Sequence, residues 1–259
     1  MRVITLNVNG VRSALSKGLA EAILKLNPDI ILLQEVRAHS HQWEHSSIFK
    51  NYQVILSPSE KAGYSGVATL SKINLTDVIT SSSLLDLNDE GRLIVASISQ
   101  NLKIINWYWP SGSSSADRHE IKIKYLNQIY NFLKTITCPF ILGGDLNIAH
   151  TYKDIKNGKQ NEKNSGFTIE ERKWFSFLLK DLNLVDTFRE MHPDENNTYT
   201  WWSQRGKAYL NNVGWRIDYQ LISENLKQYV VQVQALREPK LSDHAIYLVD
   251  YSDNIFKEN

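Results

Sequence analysis

The residues of this chain that could do chemistry stand where apolar runs stop. Residues 138–150 read CPFILGGDLNIAH. The run Pro139-Phe140-Ile141-Leu142 predicts a buried strand ending at Gly143-Gly144, with Asp145 and Asn147 just beyond. Residues two apart on an extended chain point the same way, so this carboxylate and carboxamide can share a pocket. The glycines permit a close approach that a Cβ would forbid, and a ligand is the expected visitor. The same ending recurs at Asn7 and Asn9, at Glu35, at Tyr108, at Asp218 in WRIDY, and at Asp243-His244. Any one of these alone is an ordinary cap or turn residue. Together they are too many for turn chemistry.

Glu35 follows the apolar run Ile30-Ile31-Leu32-Leu33-Gln34, and Asp218 lies between Ile217 and Tyr219. An unpaired carboxylate in such surroundings costs several kcal/mol, so each needs a cation or hydrogen-bond donors. Asn and Glu oxygens without cysteine are hard ligands, suited to Mg²⁺ or Mn²⁺ rather than zinc. Asp243 and His244 are adjacent and would face opposite ways on an extended chain, which makes Asp218 the better partner to orient the imidazole. A metal, an acidic base, an oriented histidine and amide donors fit metal-assisted phosphodiester hydrolysis.

The elements that must position these groups follow from periodicity. Residues 2–8 and 29–36 read as strands, with a helix over Leu19, Ala22, Ile23 and Leu26 that stops at Asn27-Pro28. Residues 52–56 and 66–71 form a strand pair, residues 73–91 are irregular, and residues 92–99 and 102–109 form a hairpin. A loop over 110–117 leads to a helix with Ile121, Tyr125, Leu126, Ile129, Leu133 and Ile136 on one face. The polar stretch 150–167 is too long for an idle connection. Thr168 and Glu171 fit a capping box for a helix with Trp174, Phe175, Leu178, Leu179 and Leu182 inward. Strands are expected over 199–202, 215–222, 229–236 and 245–251. Mixed hairpins and helices predict an α+β or mixed α/β fold, with sheets packed on each other and helices outside.

Composition excludes more than it selects. The 259 residues contain no linker, composition break or detected repeat, and read as a single domain over 1–259. No apolar run approaches the roughly 18 residues a membrane span needs. The opening MRVITLNVNG enters a strand at once and leaves no room for a signal peptide. Cys138 is the only cysteine; it reads as a small core residue, and a reducing cytoplasmic setting is the default. The net charge of +1 gives no bulk basic field for nucleic acid, although an acidic metal pocket can offset basic residues elsewhere.

In order along the chain, LNVNGVR, LLQEVRA, GYSGVATLSK, DEGRLI, GGDLNIAH, SGFTIEER, DTFRE, YTWWS, NNVGWRIDY and SDH closely resemble the exonuclease III/AP endonuclease family of the endonuclease–exonuclease–phosphatase superfamily. The likeness covers about residues 1–250. GDLN and SDH are shared across the superfamily; SGFTIEER, YTWWS and NVGWRIDY are narrower and point to DNA repair. The resemblance implies a four-layer α/β sandwich, two mixed β-sheets face to face with helices on the outer faces. It implies a Mg²⁺-dependent enzyme (Mn²⁺ as substitute) that cuts 5′ to an abasic site in duplex DNA and leaves a 3′-hydroxyl. Trimming of blocked 3′ ends and 3′→5′ exonuclease activity come with it. No obligate protein partner or membrane is implied, and a monomer is the default.

The residue roles are likewise carried by resemblance. Glu35 binds the metal with Asn9 and Asn7, and the metal-facing set extends to Asp145, Asn147, Asp243 and His244. Asp145 orients or deprotonates water, Asn147 donates to the scissile phosphate, and Tyr108 lies beside it as donor or phenolate. His244 stabilises transition-state charge, Asp218 holds His244, and Asp243 assists at the metal or leaving group. Asn157, Asn161, Asn164 and Arg118 are expected on DNA phosphates. Trp201, Trp215 and Ile217 are expected around a flipped-out abasic sugar, whose extrusion is cheapened by the missing base. One of Trp201 and Trp202 should be core, because neighbours on a strand face opposite ways. The glycine pair is expected to admit a DNA phosphate. Ser111 stands where Asn or Gln is usual and reaches a phosphate through water. Asn9 stands where an acid is common and weakens charge neutralisation. Gly158 stands where proline is common and loosens the phosphate loop. The alternatives are another phosphodiesterase or phosphatase of the same fold, or an inactive DNA-binding relative.

Overall fold

The computed structural model describes residues 1–43, 47–113 and 115–256. The strands among these residues are β1 (Arg2–Asn7), β2 (Ile30–Gln34), β3 (Gln53–Ser57), β4 (Val67–Ser71), β5 (Thr76–Ile79), β6 (Leu93–Ser99), β7 (Leu102–Trp107), β8 (Phe140–Asp145), β9 (Leu184–Asp186), β10 (Trp201–Trp202), β11 (Gly214–Trp215), β12 (Asp218–Ser223), β13 (Val230–Leu236) and β14 (Ile246–Tyr251). The helices are α1 (Val11–Ser16), α2 (Leu19–Leu26), α3 (Ala116–Lys134), α4 (Gly158–Asn161), α5 (Ile169–Asp181) and α6 (Thr187–Met191).

One six-stranded sheet has the order β13-β14-β1-β2-β4-β3 and the other β5-β6-β7-β8-β12-β9, with β10-β11 as a separate ribbon. The two sheets share one plan: a central parallel pair flanked by antiparallel pairs. The parallel pairs β1–β2 and β7–β8 are joined by helical crossovers, α1-α2 and α3, as parallel neighbours require.

Period-two alternation builds the layers. In β2, Ile30 and Leu32 enter the core between the sheets, while Ile31 and Leu33 pack beneath α1 and α2. In β8, Ile141 points between the sheets and Leu142 packs under α3 and α5. The result is a four-layer α/β sandwich. No helix among the described residues is long and apolar enough to cross a membrane.

The inward-facing positions change character along the strands. Val3 gives way to Thr5 and Asn7, Ile104 to Asn106, Ile141 to Gly143 and Asp145, and, on an antiparallel strand, Ile222 to Gln220 and Asp218. Hydrogen bonds stitch this polar end across the sheets: Gln34 Nε2 to Asn106 Oδ1 at 2.8 Å and Gln220 Nε2 to the Val3 carbonyl at 3.0 Å. The apolar end holds the sandwich together and the polar end carries the groups singled out in the sequence.

Several expectations change. Gly143 and Gly144 lie inside β8 and do not end it. A Cβ on Gly144 would run into the carbonyl oxygen of Trp107, and one on Gly143 into Leu32 and Thr5 of the facing sheet. The pair permits close packing of strand and sheet, which leaves no opening for a ligand phosphate. Cys138 precedes β8 and is half-buried, outside the core. Ile121 is exposed, and its neighbour Lys122 is fully buried in its place. The stretch 73–91 contains the short edge strand β5, and the strand expected over 215–222 breaks into β11 and β12. β9, α1 and α6 arise outside the expected elements.

The polar end rests on a buried ion network. Arg216 donates from Nε to Asp154 Oδ1 at 2.8 Å and from Nη2 to Asp186 Oδ2 at 2.6 Å; Arg189 Nη2 reaches Asp154 Oδ1 at 2.5 Å. Burial pushes the Asp154 carboxyl up, but Arg216 and then Arg189 outweigh it and hold it well below the usual carboxylate range. A depressed folded-state value contributes stability in full above the unfolded value of about 3.9 and loses it as pH falls through the folded value. Asp154→Asn should therefore cost about 3 kcal/mol at neutral pH. The deficit against wild type should shrink on acidification below about pH 4. Thermal unfolding of both proteins across that range checks this, and a deficit independent of pH would contradict it.

Candidate active site

At the polar end, the C-terminal ends of β1, β2, β7 and β8 meet the segment before β14. They open into a cleft of ≈1220 Å³ lined by Asn9, Glu35, Tyr108, Asp145, Asn147, Asp243 and His244 among others. Asn7 Nδ2 donates to Glu35 Oε1 at 2.8 Å and to Asp145 Oδ2 at 2.9 Å, so one carboxamide joins carboxylates of both sheets. The Tyr108 hydroxyl donates to Glu35 Oε1 at 2.9 Å, and Arg37 pairs with Glu35 Oε2. Asn9, Glu35 and Asn147 all hold a left-handed backbone, at φ 45°, 49° and 52°. That conformation is tolerable for asparagine, uncommon for glutamate, and tends to cluster at working sites.

Asp145 Oδ1 accepts the Asn147 N–H at 3.0 Å, and Asn147 Nδ2 donates to the Trp109 carbonyl at 2.9 Å. The pair is thus an Asx turn and a shared pocket at once. His244 Nδ1 lies 2.9 Å from Asp218 Oδ2, and its Nε2 is 3.9 Å from Asp145 Oδ2. Asp218 pairs with Asp145 in the register of β12 on β8, which brings imidazole and both carboxylates together. Asp243 points elsewhere: Asn9 Nδ2 donates to its Oδ1 at 2.9 Å and Trp201 Nε1 to its Oδ2 at 3.3 Å. This contact explains asparagine at position 9, because an acid there would face Asp243 directly.

Burial sets the charges. It pushes the Asp145 carboxyl up to about 7, with the His244 charge opposing and the Asp218 charge adding to it. Burial drives His244 down, but Asp218, then Asp145 and Asp243, overcome it and raise the imidazole to about 10. His244 is therefore an imidazolium at neutral pH. Asp243 is held below the carboxylate norm, where His244, Asn9 and Trp201 outweigh burial. Burial and then Glu35 push Tyr108 well above the ordinary phenol value, which favours the neutral phenol that donates to Glu35.

Ligand atoms of Asp145, Asp218 and His244 lie within 4.8 Å of one another. The fully buried Oδ1 of Asp218 has no hydrogen-bond partner among the described residues, and the other groups around the cleft are carboxylate and carboxamide oxygens. Such a set fits a hard divalent cation. The oxygens of Asn7, Asn9, Glu35, Asp145, Asn147 and Asp243, with the imidazole of His244 beside them, are the groups that would hold it.

Around this centre stand the expected flanking residues. Trp201, Trp215 and Ile217 share an apolar cluster with Phe167 and Ile155 and line the cleft, the two indoles edge to face at 6.1 Å. Trp202 is the core partner, 1% exposed. Ser111, Arg118, Asn161 and Asn164 also line the cleft. Asn157 does not: it is exposed, caps α4 with a left-handed backbone, and its carbonyl accepts from Asn161 Nδ2 at 2.9 Å. Gly158 packs against Tyr152 and Ile155, where a Cβ would collide. The net charge of +1 concealed a basic side of the cleft: Lys156, Lys163 and Arg205 line it, with Arg37 paired to Glu35 and Arg92 and Arg118 to Glu90. Sequence reading also missed Thr200, whose buried Oγ1 accepts the N–H groups of Ile217 and Asp218 at 3.0 Å. Periodicity gives no signal for such a contact; YTWWS was the only pointer.

A four-layer α/β sandwich with an acid, amide and imidazolium cleft at one end is the class this geometry defines. The chain belongs to the Endonuclease/Exonuclease/phosphatase family, whose pattern matches residues 4–244. It is 34% identical over 247 residues to an exodeoxyribonuclease of Bacillus subtilis, covering 94% of this chain and 96% of that one. It is 36% identical over 230 residues to a DNA-(apurinic or apyrimidinic site) endonuclease of Dictyostelium discoideum, covering 87% of this chain and 63% of the longer relative. Its fold superposes on an AP endonuclease from Archaeoglobus fulgidus with a TM-score of 0.87 at 27% identity, covering 97% of this chain and 99% of that structure.

Proposed function

We propose that this chain is an AP endonuclease of DNA repair that hydrolyses the phosphodiester 5′ to an abasic nucleotide and leaves a 3′-hydroxyl. One observation carries the reading. Asp145, His244 and Asn147 line a single cleft with the apolar wall of Trp201, Trp215 and Ile217, and the buried Asp218 holds His244 from behind. The first group suits a phosphodiester and the second suits a sugar without its base. The relatives' names, an exodeoxyribonuclease and an apurinic or apyrimidinic endonuclease, support the same substrate.

The chemistry is a displacement by water. A new bond forms between water oxygen and phosphorus, the bond from phosphorus to the 3′-oxygen breaks, and the leaving oxygen takes a proton from solvent. Asp145 accepts the proton of the attacking water; a carboxyl raised to about 7 is matched to that task near neutral pH. The His244 imidazolium faces charge developing on the phosphate, and Asp218 holds it charged and oriented. Asn147 keeps one amide N–H free after its bond to Trp109, and Tyr108 offers a neutral phenol beside Glu35. The oxygens of Asn7, Asn9, Glu35, Asp145, Asn147 and Asp243, with His244 beside them, would hold Mg²⁺, or Mn²⁺ in its place, which would supply positive charge to the phosphate. Arg118, Asn161, Asn164 and Ser111, which line the cleft, would follow the DNA backbone, Ser111 through water. We assign the active form as a monomer in the cytoplasm, acting on abasic duplexes and blocked 3′ ends.

The test is a labelled duplex with one abasic site beside an intact duplex, each with Mg²⁺ and with chelator. Incision should be confined to the abasic strand and abolished by chelation. Trp215→Ala should narrow the preference for abasic over intact DNA by about tenfold, the loss expected from opening an apolar pocket wall. Equal cleavage of both duplexes by wild type would favour a nonspecific phosphodiesterase.

A further inference from the structure

Lys122 is 0% exposed, although it lies in the first half of α3 near the cleft. It sits on the helix stripe with Tyr125, Leu126, Ile129 and Leu133, which are all buried, so its ammonium is drawn under the polar end of the sandwich. There its Nζ meets Glu171 Oε1 at 2.6 Å, the Asn147 carbonyl at 2.7 Å and the Ser111 carbonyl at 3.5 Å. Three donors thus meet three acceptors, which is the full capacity of an ammonium group.

Glu171, also 0% exposed, does more than cap α5. Both its oxygens accept the Gly166 N–H at 2.8 Å, and Oε1 lies 3.3 Å from the Ser165 hydroxyl oxygen. Ser165 in turn donates to the Ser111 carbonyl at 2.8 Å. One buried ion pair therefore ties together the three segments that face the phosphate side of the cleft: the turn at Asn147, the loop at Ser111 and the loop at 164–166.

A pair serving only stability would be an expensive choice, because apolar residues of similar volume often do as well in a buried site. What an apolar pair could not do is hold the left-handed Asn147 by its carbonyl while gripping the Gly166 N–H. We propose that Lys122 and Glu171 are positioning residues that fix Asn147 and the 164–166 loop in the geometry for phosphate. The proposal rests on the reading of the cleft as a phosphodiester site.

The test is the double variant Lys122→Met/Glu171→Gln, which removes both charges, keeps the stem of Lys122 and keeps a side-chain oxygen for the α5 cap. Two readings are taken on the full chain. The first is amide hydrogen exchange at 145–147 and 164–167, which needs no substrate. The second is kcat and KM on an abasic duplex with Mg²⁺. Exchange should quicken at both segments while the strands of the sheets stay protected. kcat should fall by about 10- to 100-fold, as a displaced positioning group does. Wild-type protection together with wild-type kcat would overturn the proposal. If the double variant does not fold, Glu171→Gln alone decides, through exchange at 164–167 and KM; wild-type values for both would overturn it. Failure of the wild-type chain to incise the abasic duplex refutes the function and leaves the exchange reading to judge the pair.

Discussion

Asp145→Asn should lower kcat on an abasic duplex by about 10³-fold, with duplex binding and folding retained. The size follows from the work assigned to this carboxylate. It is 2% exposed, accepts from Asn7 and from the Asn147 N–H, and faces His244 Nε2. Asparagine preserves the shape and can still accept from the Asn147 N–H, so the turn survives. It cannot take a proton from water. Removing one of two neighbouring negative charges also relieves repulsion with Asp218, so stability should not fall. Single-turnover kinetics with thermal unfolding as control reads both effects. A variant with more than a tenth of wild-type kcat would remove Asp145 from the role of base.

His244→Gln should cost about 10²- to 10³-fold in kcat, the range for losing a preorganised charge at a developing oxyanion. Glutamine can still donate to Asp218, which avoids leaving that carboxylate buried without a donor. The more diagnostic variant is Asp218→Asn. In wild type Asp218 is the largest of the influences that lift His244 to about 10 against burial. Without that charge the imidazole falls from there toward its ordinary value of about 6.5. The sign follows directly: His244 is charged below its pKa, so the variant should lose activity as pH rises from about 6 to about 8, where wild type keeps the imidazolium. A pH–kcat profile for Asp218→Asn parallel to wild type would show that Asp218 does not act through His244.

Much of this site was legible in the sequence because burial makes polar residues conspicuous. A glutamate after Ile30-Ile31-Leu32-Leu33 or an aspartate inside WRIDY needs partners, and the structure supplies Asn7, Tyr108 and Arg37 for Glu35 and His244 for Asp218. The choice of Asp218 over Asp243 as the partner of His244 followed from alternation alone, and so did the assignment of one tryptophan of Trp201-Trp202 to the core.

What stayed hidden depends on contacts distant in sequence. Gly143 and Gly144 look like a ligand approach until the facing Leu32 and Thr5 and the adjacent Trp107 are in place. Lys122 looks solvated until Glu171, 49 residues away, comes beneath it, and Ile121 looks buried for the same reason. Asn157 reads like its neighbours Asn161 and Asn164, yet it stands exposed at the left-handed cap of α4 and does not line the cleft. β5 carries exposed residues throughout and β9 has only three residues, so neither presents the periodic pattern by which a strand is recognised.

The most direct test of the proposed hydrolysis is to run incision of a single-site abasic duplex in ¹⁸O-water with Mg²⁺ and identify both new ends. Attack by water on phosphorus, with Asp145 as base, places one ¹⁸O in the 5′-phosphate of the abasic fragment and leaves an unlabelled upstream 3′-hydroxyl that a polymerase extends. An unsaturated sugar on the 3′ end, or a 5′-phosphate without label, would mean that the strand was broken by elimination and would contradict the central claim.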